Sequence, residues 1–522
     1  MRQILSAWRT PEECFSDLWK RIPKHIRLSF AAAVALGLAT HLYAFTNKLT
    51  NHDDLDQMFY AGYGAASGRW LLPSILRLDG DFSIPWLIGL IGILCLAGTV
   101  CLTVSLLRIR HPLGCVVTAA VMVSYPTVAS TFAYMFTSSG YFFGLLLAVF
   151  GAYAAVRWGW PGSAVGAAAI VMSLGIYQSY FPVAAVLMVG ALLFETLDGK
   201  RSFRELFLRG VRLAGTLAVA MVVYMIVARI AAGENGLADY KGISNMGQIS
   251  LREIPRLVFE SYRGCITFFL SNSLGWHFGF LKFAFVAVGL CSVALGVLLV
   301  RERHLEAAQV ALAVALVVVY PLACALIYVM SAGAFVHTVM IYGFVYILVL
   351  PIALADYAEI SLKRFPLQAA ASWVILLTMV LTAYSYAVTD NNGYLKADLS
   401  MRQCAAYSNR LLERVEACEG YEPGMSIVLL GSDVEGDWLS PTPELDSVNI
   451  TGILDLGEFR TSWNYDYFLR YFVGFAGKVY TDFNWSVTSP FEAMDEVQAM
   501  PVYPEAGSIQ IFDGTVVVKL SD

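Results

Sequence analysis

The stretch Asn47-Lys48-Leu49-Thr50-Asn51-His52-Asp53-Asp54-Leu55-Asp56 gathers three carboxylates and a histidine within ten residues, directly after an apolar run. Carboxylates so close together repel one another, and beside lipid they are poorly solvated. Such a set suits one of three tasks: a general base, a metal site or a seat for a cationic partner. The structural alternative is a solvated helix start, because acidic side chains favour the helix N-terminus. Gln57–Ser67 then reads as a short helix of small and aromatic residues, with Gly68 placed to end it. Arg69-Trp70-Leu71-Leu72 opens a second apolar stretch that Pro73 interrupts. That stretch would lie along a membrane interface, with Trp70 at headgroup level. Gly62-x-Gly64 has neither a third glycine nor a strand before it, so it is not a dinucleotide fingerprint.

Further cations follow. In Ser250–Arg263, helical spacing puts Arg252, Arg256 and Arg263 within about 40° of one another, opposite Ile254, Leu257, Val258 and Tyr262. This is an amphipathic interfacial helix, and Pro255 can set its start and leave Arg252 outside. Its arginines serve either lipid headgroups or a substrate phosphate. Arg229, near the end of another apolar run, either snorkels or binds phosphate. Tyr177, Gln178 and Tyr180 either hydrogen-bond sugar hydroxyls or form an ordinary interfacial tyrosine belt. His277 and His337 stand alone at span ends and read as structural. Cys265–Phe278 is apolar but broken by Ser271-Asn272-Ser273 and Gly275, as a re-entrant segment would be.

The rest of the chain must hold these groups at a membrane surface. Of its 522 residues 58% are apolar and 14% charged, well below the roughly 25% charge of soluble domains. That composition excludes a single soluble globule, a disordered chain and a basic nucleic-acid binder. About eleven runs approach the length needed to cross a ~30 Å core: 28–46, 85–107, 113–134, 141–157, 162–178, 182–195, 211–232, 279–300, 307–331, 335–355 and 368–388. The sixth is short. With Pro182 and the fifth run nearby, it reads either as a span or as half of a broken pair. Alternate loops carry the Lys/Arg, namely the N-terminal tail, Arg108/Arg110, Arg157, Lys200–Arg209, Arg301/Arg303 and Lys363/Arg364. By the positive-inside rule the N-terminus is cytoplasmic and the chain is an uncleaved multi-pass protein of the plasma membrane. Residues 1–27 are then a basic tail, 28–388 the membrane domain with long outer loops at 47–84 and 233–278, and 389–522 an outer soluble domain. The last segment holds 8 Lys/Arg against 21 Asp/Glu, while the remainder is net basic.

The paired Asp53-Asp54 after the first span, the aromatic and small residues that follow, and Gly68-Arg69-Trp70-Leu71 resemble the GtrII-type glucosyltransferase family. Ser173-Leu174-Gly175-Ile176-Tyr177-Gln178-Ser179-Tyr180 resembles it too, over a region of roughly 25–390. The resemblance implies an all-α polytopic membrane bundle of GT-C type. It implies transfer of a hexose, most readily glucose, from a polyprenyl-phosphate donor to a surface polysaccharide or lipid-linked glycan outside the membrane. On this reading Asp53 or Asp54 is the general base, and the other orients it or binds a divalent cation. Negative charge there also suits an oxocarbenium-like transition state. Asp56, Arg69, Tyr177, Gln178, Arg229, Arg252 and Arg256 are the candidate substrate contacts, with Arg69 able to grip the leaving phosphate bidentately. Direct displacement with one base implies inversion. Two rival readings are a transporter or flippase of lipid-linked sugars and an envelope-assembly scaffold. The span centres are almost free of charge, which disfavours transport.

Residues 389–522 read as a small α/β domain. Asp390-Asn391-Asn392-Gly393 marks its start, with a helix over 397–417, a strand at Ser426–Leu430 and a helix near Tyr465–Phe475. A hairpin of Ile509–Phe512 and Thr515–Leu520 closes it through Asp513-Gly514. Asp433, Glu435 and Asp437 read as surface loop. The aromatic stretch Trp463–Tyr467, with Trp485, reads chiefly as core and alternatively as a sugar platform. Asn449-Ile450-Thr451 and Asn484-Trp485-Ser486 match the N-glycosylation pattern. The nine cysteines form no metal-ligand spacing, and Cys404 and Cys418 are too far apart along one helix to pair. No P-loop, nucleophile elbow or HExxH is present.

Overall fold

The computed structural model describes residues 10–59, 67–233, 236–237, 252–271, 278–331, 335–362, 366–431, 443–454, 459–460 and 464–522. Residues 60–66 of the expected helix Gln57–Ser67, with Gly62-x-Gly64, lie outside the described residues, as do His277, the segment 272–277, Lys363/Arg364, Asp433/Glu435/Asp437 and Trp463.

The helices in chain order are α1 (Pro11–Arg21), α2 (Lys24–Thr46), α3 (His52–Asp56), α4 (Leu72–Leu76), α5 (Pro85–Leu106), α6 (Pro112–Val123), α7 (Pro126–Ala133), α8 (Met135–Arg157) and α9 (Gly159–Ile176). They continue as α10 (Phe181–Leu197), α11 (Phe203–Ala232), α12 (Ile254–Leu270), α13 (Leu281–Glu302), α14 (Ala307–Cys324), α15 (Leu326–Met330), α16 (Val345–Ser361) and α17 (Pro366–Glu416). Among the described residues ten helices are long and apolar enough to cross a membrane, and α6 with α7 makes an eleventh bent by 41°. The chain is therefore an all-α polytopic membrane bundle with a small sheet-containing region at its C-terminal end.

Three elements differ from the sequence reading. The expected span 113–134 is broken at Ser124-Tyr125. Pro126 has no N–H to give and crowds the preceding turn, and Tyr125 before it takes an extended backbone (φ −64°, ψ 130°). The carbonyls freed at the break find side chains from other helices: His41 Nε2 lies 2.8 Å from Val123 O, and Tyr342 Oη donates to Met122 O at 3.2 Å. In an apolar medium such groups must be satisfied internally. The short sixth run is long and apolar enough to cross a membrane, because a 3₁₀ turn at Gln178–Tyr180 extends it to Gln178–Leu197. Finally, Asp390-Asn391-Asn392-Gly393 does not end a helix. Helix α17 runs unbroken for 51 residues, about 76 Å at 1.5 Å per residue, through the boundary expected at 388/389. Gly393 serves packing there, since a Cβ on it would come within 2.5 Å of Ile453. Asn391 Nδ2 donates to Thr40 O and Ala387 O.

The bundle has two unlike ends. At one, cationic loops meet: Arg108 and Lys200 both pair with Asp198, Arg209 pairs with Glu195, and Arg157 donates to Ser105 O. At the other, α3, α4 and the C-terminal region lie together. The sheet there has the order β2-β1-β4-β3, from β1 (Ser426–Leu430), β2 (Val479–Tyr480), β3 (Ile509–Phe512) and β4 (Thr515–Lys519). Strand β1 is parallel to β2 and β4, and β3–β4 is the expected hairpin, with positive φ at Asp513 and Gly514. Leu55 of α3 is fully buried in the core of this region, with Tyr407, Tyr465 and Phe468. The aromatic stretch thus divides: Tyr465 is core, while Trp485 is exposed.

Inside the bundle, small residues set the closest approach, as is common between membrane helices. Helices α8 and α9 meet at Gly151 and Gly166, where a Cβ on Gly166 would lie 2.6 Å from Gly151 O. Gly166→Val therefore drives backbone from backbone. It should cost about 1–3 kcal/mol, as overpacking does, and lower both the folded yield and the melting temperature of the solubilised protein. Gly215, with nothing within 4 Å of its would-be Cβ, should accept valine with little change.

Candidate active site

The short helix α3 carries the carboxylates. Asn51 caps it, accepting from Asp54 N at 2.9 Å. At three residues' separation Asp53 and Asp56 share a face, and Asp54 looks the other way. The consequence is a sharp difference in environment. Asp54 is fully buried and receives four donors: Lys48 Nζ (2.5 Å) and Thr50 Oγ1 (2.8 Å) at Oδ2, Ser83 Oγ (2.5 Å) and the backbone N–H of Phe136 (3.2 Å) at Oδ1. A carboxylate offers about four lone-pair positions, so these partners fill it. It ties the end of α2 and both ends of the first long loop to the N-terminal turn of α8.

Asp53 is left open. Its side chain is 39% exposed, with His52 Nε2 at 3.4 Å. Asp56 beside it is half-buried, and burial pushes its pKa up, helped by the charge of Asp53. Facing this side are aromatic rings: Phe59 meets Phe82 at 5.8 Å and Tyr471 at 5.0 Å, and Tyr467 lies within the field of Asp56. Asn464 Nδ2 donates to His52 O, which fastens α3 to the C-terminal region.

The second group of site residues assembles next to α8. The two stretches that carried the family resemblance dock on each other. Leu71 N donates to Gly175 O at 2.8 Å, and the Trp70 indole lies so close to Gly175 that any side chain there would strike it. Gln178 Nε2 donates to Ser67 O and to Tyr224 Oη, and Tyr224 Oη donates to Gly68 O. Gly68 itself has φ 73°, a conformation glycine adopts without strain. Gln178 is thus buried as the strap of the Gly68 turn. That turn sets Arg69 over the Tyr177 and Tyr141 rings, with its Cζ 5.1 and 5.7 Å from their centroids. The two rings stack at 4.2 Å.

The other candidate cations stand apart. Arg229 is exposed on α11, rotated by about 140° from Tyr224, the residue of that helix that reaches the Gly68 turn. Arg252 precedes α12, which starts at Ile254 as Pro255 suggested. Arg256 is ion-paired with Glu260 at 2.8 Å and remains 75% exposed. Helix α12 packs on α13, α14 and α15. Among the described residues no group of three His, Cys, Asp or Glu could hold a metal ion, and the oxygens of Asp54 are already taken by protein donors. His337 caps a 3₁₀ turn, with its ring against Phe335.

Sequence reasoning missed Lys48, Ser83, Tyr141 and Tyr224. It also missed Asp79, which accepts a hydrogen bond from Ser139 Oγ and whose pKa is raised by burial. Lys48 alone carried a local signal, being a lysine five residues before an acidic cluster; the others are distant in sequence.

Asp79 gives a prediction about pH. Its folded pKa stands above the unfolded value, so its contribution favours the folded state at low pH and is lost as pH rises through the folded value. The melting temperature of Asp79→Asn, relative to wild type, should therefore rise as the pH is raised from below the ordinary carboxylate range to neutrality. A gap that is constant with pH would refute this.

Residues 42–348, more than half of the chain, match the family model described as glucosyl transferase GtrII. No curated protein and no solved structure matches the chain.

Proposed function

The chain belongs to the GtrII glucosyl transferase family, and on that premise we propose that Asp53 is its general base at the outer membrane surface. The observation that carries this reading is the contrast within α3, where Asp54 has its lone pairs filled by four donors and Asp53, among the described residues, does not. A base must offer a lone pair to the hydroxyl it deprotonates. Asp54 is then the positioning residue and Asp53 the catalytic one.

The donor is a polyprenyl-phosphate glucose and the acceptor a surface glycan. The acceptor oxygen forms the new bond to the anomeric carbon as the bond from that carbon to the phosphate oxygen breaks. The bonding pair leaves on the phosphate, and the hydroxyl proton passes to Asp53. One displacement inverts the anomeric centre. Arg69, held on two tyrosine rings, would neutralise the departing phosphate. Asp56, half-buried beside Asp53, can accept a hydrogen bond from a sugar hydroxyl, and Phe59 and Tyr471 offer apolar faces for a ring. In this reading the cationic end of the bundle is cytoplasmic, and residues 389–522 form the outer domain with the start of α17's projecting half.

The test is complementation. A strain lacking the gene is rescued with each variant at matched membrane levels, and its envelope polysaccharide is weighed by mass spectrometry. Wild type should restore one hexose per repeat. Asp53→Asn should fold normally and lose transfer by about 10²-fold or more, the usual worth of a general base. Asp54→Asn should instead lower the amount of folded protein, since it breaks a buried charged network. Arg69→Lys, which loses the bidentate fork, should lie between wild type and Arg69→Ala. Full activity of Asp53→Asn would refute the assignment.

A further inference from the structure

A cavity of about 460 Å³ opens between α12, the segment 335–344 and residues 449–451, at the same end of the bundle as the carboxylates. Its size is that of a small-molecule site. Its walls mix planar polar groups with aromatic rings: Glu260, Arg263, Asn449 and Thr451 beside Tyr328 and Phe335. Phe335 is 77% exposed at its rim. Glu260 is neutralised by Arg256, whereas Arg263, among the described residues, has no ion-pair partner. Gly264 allows the Tyr328 ring to lie against α12, where a Cβ would come within 2.6 Å of it.

The cavity is tied to the carboxylates through one short helix. Ser130 Oγ of α7 donates to Thr451 O at the cavity wall, and Asn51 Nδ2, the cap of α3, donates to Ala133 O. These two anchor points are three residues apart, about 4.5 Å of helix rise. Thr127 Oγ1 and Thr338 O fix the same helix to the other wall at 2.8 Å.

We propose that this cavity is a second acceptor subsite, which binds sugar residues of the glycan a short way along the chain from the hydroxyl that reacts. Sugars present hydroxyls to paired planar donors and acceptors, and a C–H face to an aromatic ring. A lining of Asn, Glu, Arg and Thr beside Phe and Tyr supplies both. A phosphate would call for more than one unpaired cation, so a lipid headgroup fits the lining less well. The inference rests on the glycosyl-transfer reading and deepens it. The enzyme would read several sugars of its acceptor, and acceptor choice would lie in α12 and residues 449–451 rather than at the carboxylates.

The experiment uses the full chain in phosphatidylcholine nanodiscs. The probe is lipid-free oligosaccharide released from the host's envelope polysaccharide, and the readout is its Kd without turnover. Phe335→Ala and Asn449→Ala should each weaken binding about tenfold and raise the acceptor KM while leaving the donor KM unchanged. Thr267→Trp, which fills the cavity from an exposed position on α12, should do the same without removing a wall. Asp53→Asn should bind the probe like wild type, so a failure of the base assignment leaves this readout intact. Wild-type affinity in both Phe335→Ala and Thr267→Trp would overturn the subsite while the transferase reading stands. Displacement of the probe by polyprenyl phosphate that depends on Arg263 would overturn it in favour of a lipid site. Phe335-dependent binding with no hexose transfer by wild type would sink the transferase reading and with it the acceptor role, leaving the cavity a glycan-binding site.

Discussion

The Asp54 carboxylate is the constraint on which the site depends. A charge with no exposure survives only if it is paired and hydrogen-bonded. Here Lys48 supplies the charge, and Thr50, Ser83 and the Phe136 amide supply the remaining bonds. These partners come from the end of the first span, the far end of the first loop and the first turn of α8. A loop of more than thirty residues is thereby closed on itself and pinned to the bundle. Removing one partner of such a buried pair typically costs about 3–5 kcal/mol, so its four contacts act as one knot. The N-terminal turn of α8 also gains, because its unpaired amide and its dipole both favour an anion there.

A second fixed point lies one helix earlier. The break before Pro126 frees two backbone carbonyls in the bundle interior, and His41 and Tyr342 take them up. His41 also bonds Tyr394 Oη at 2.7 Å, which joins α2, α6 and α17. The break therefore serves architecture. It turns the chain so that α7 can carry Ser130 to Thr451 and the Ala133 carbonyl to Asn51, and then lets α8 start beside Asp54. Pre-proline geometry, a buried histidine and a tyrosine together set the direction from which the carboxylates are approached.

Much of this was legible in the residues, and the exceptions have a common cause. Apolar run length located the spans, since a bilayer demands it. The Asp-Gly turn located the hairpin, because a two-residue turn with positive φ at both positions suits those residues. The docking of Gly68–Leu71 on Gly175–Gln178 was foreshadowed only in that both stretches carried the same resemblance. What was illegible depends on partners far away in sequence. The residue types alone do not distinguish Asp53 from Asp54, since their difference is made by which of them meets Lys48, Thr50, Ser83 and Phe136. Asp390-Asn391-Asn392-Gly393 has the composition of a helix end, yet Ile453 packs onto Gly393 and Asn391 bonds the main chain of α2, so tertiary contact overrides weak local preference. The chemistry of Gln178 suits either a sugar contact or an ordinary interfacial position, and only the fold shows that its amide bonds the Gly68 turn.

The placement of the carboxylates on a five-residue helix has a further consequence. So short a helix has negligible stability of its own, because nucleation is unfavourable and few bonds repay it. Its geometry is therefore wholly imposed. One side is imposed by the bundle through Asp54, the other by the C-terminal region, which buries Leu55 and holds His52 through Asn464. That region is in turn carried on α17, which leaves the bundle without a break. A hinge between bundle and C-terminal region would let the two grips on α3 move independently and would blur the position of Asp53. A continuous helix, stiffened by Gly393 against Ile453 and by Asn391 against α2, prevents that. The C-terminal region is thus one of the two walls that hold the carboxylates in register, and the unbroken α17 keeps those walls at a fixed separation.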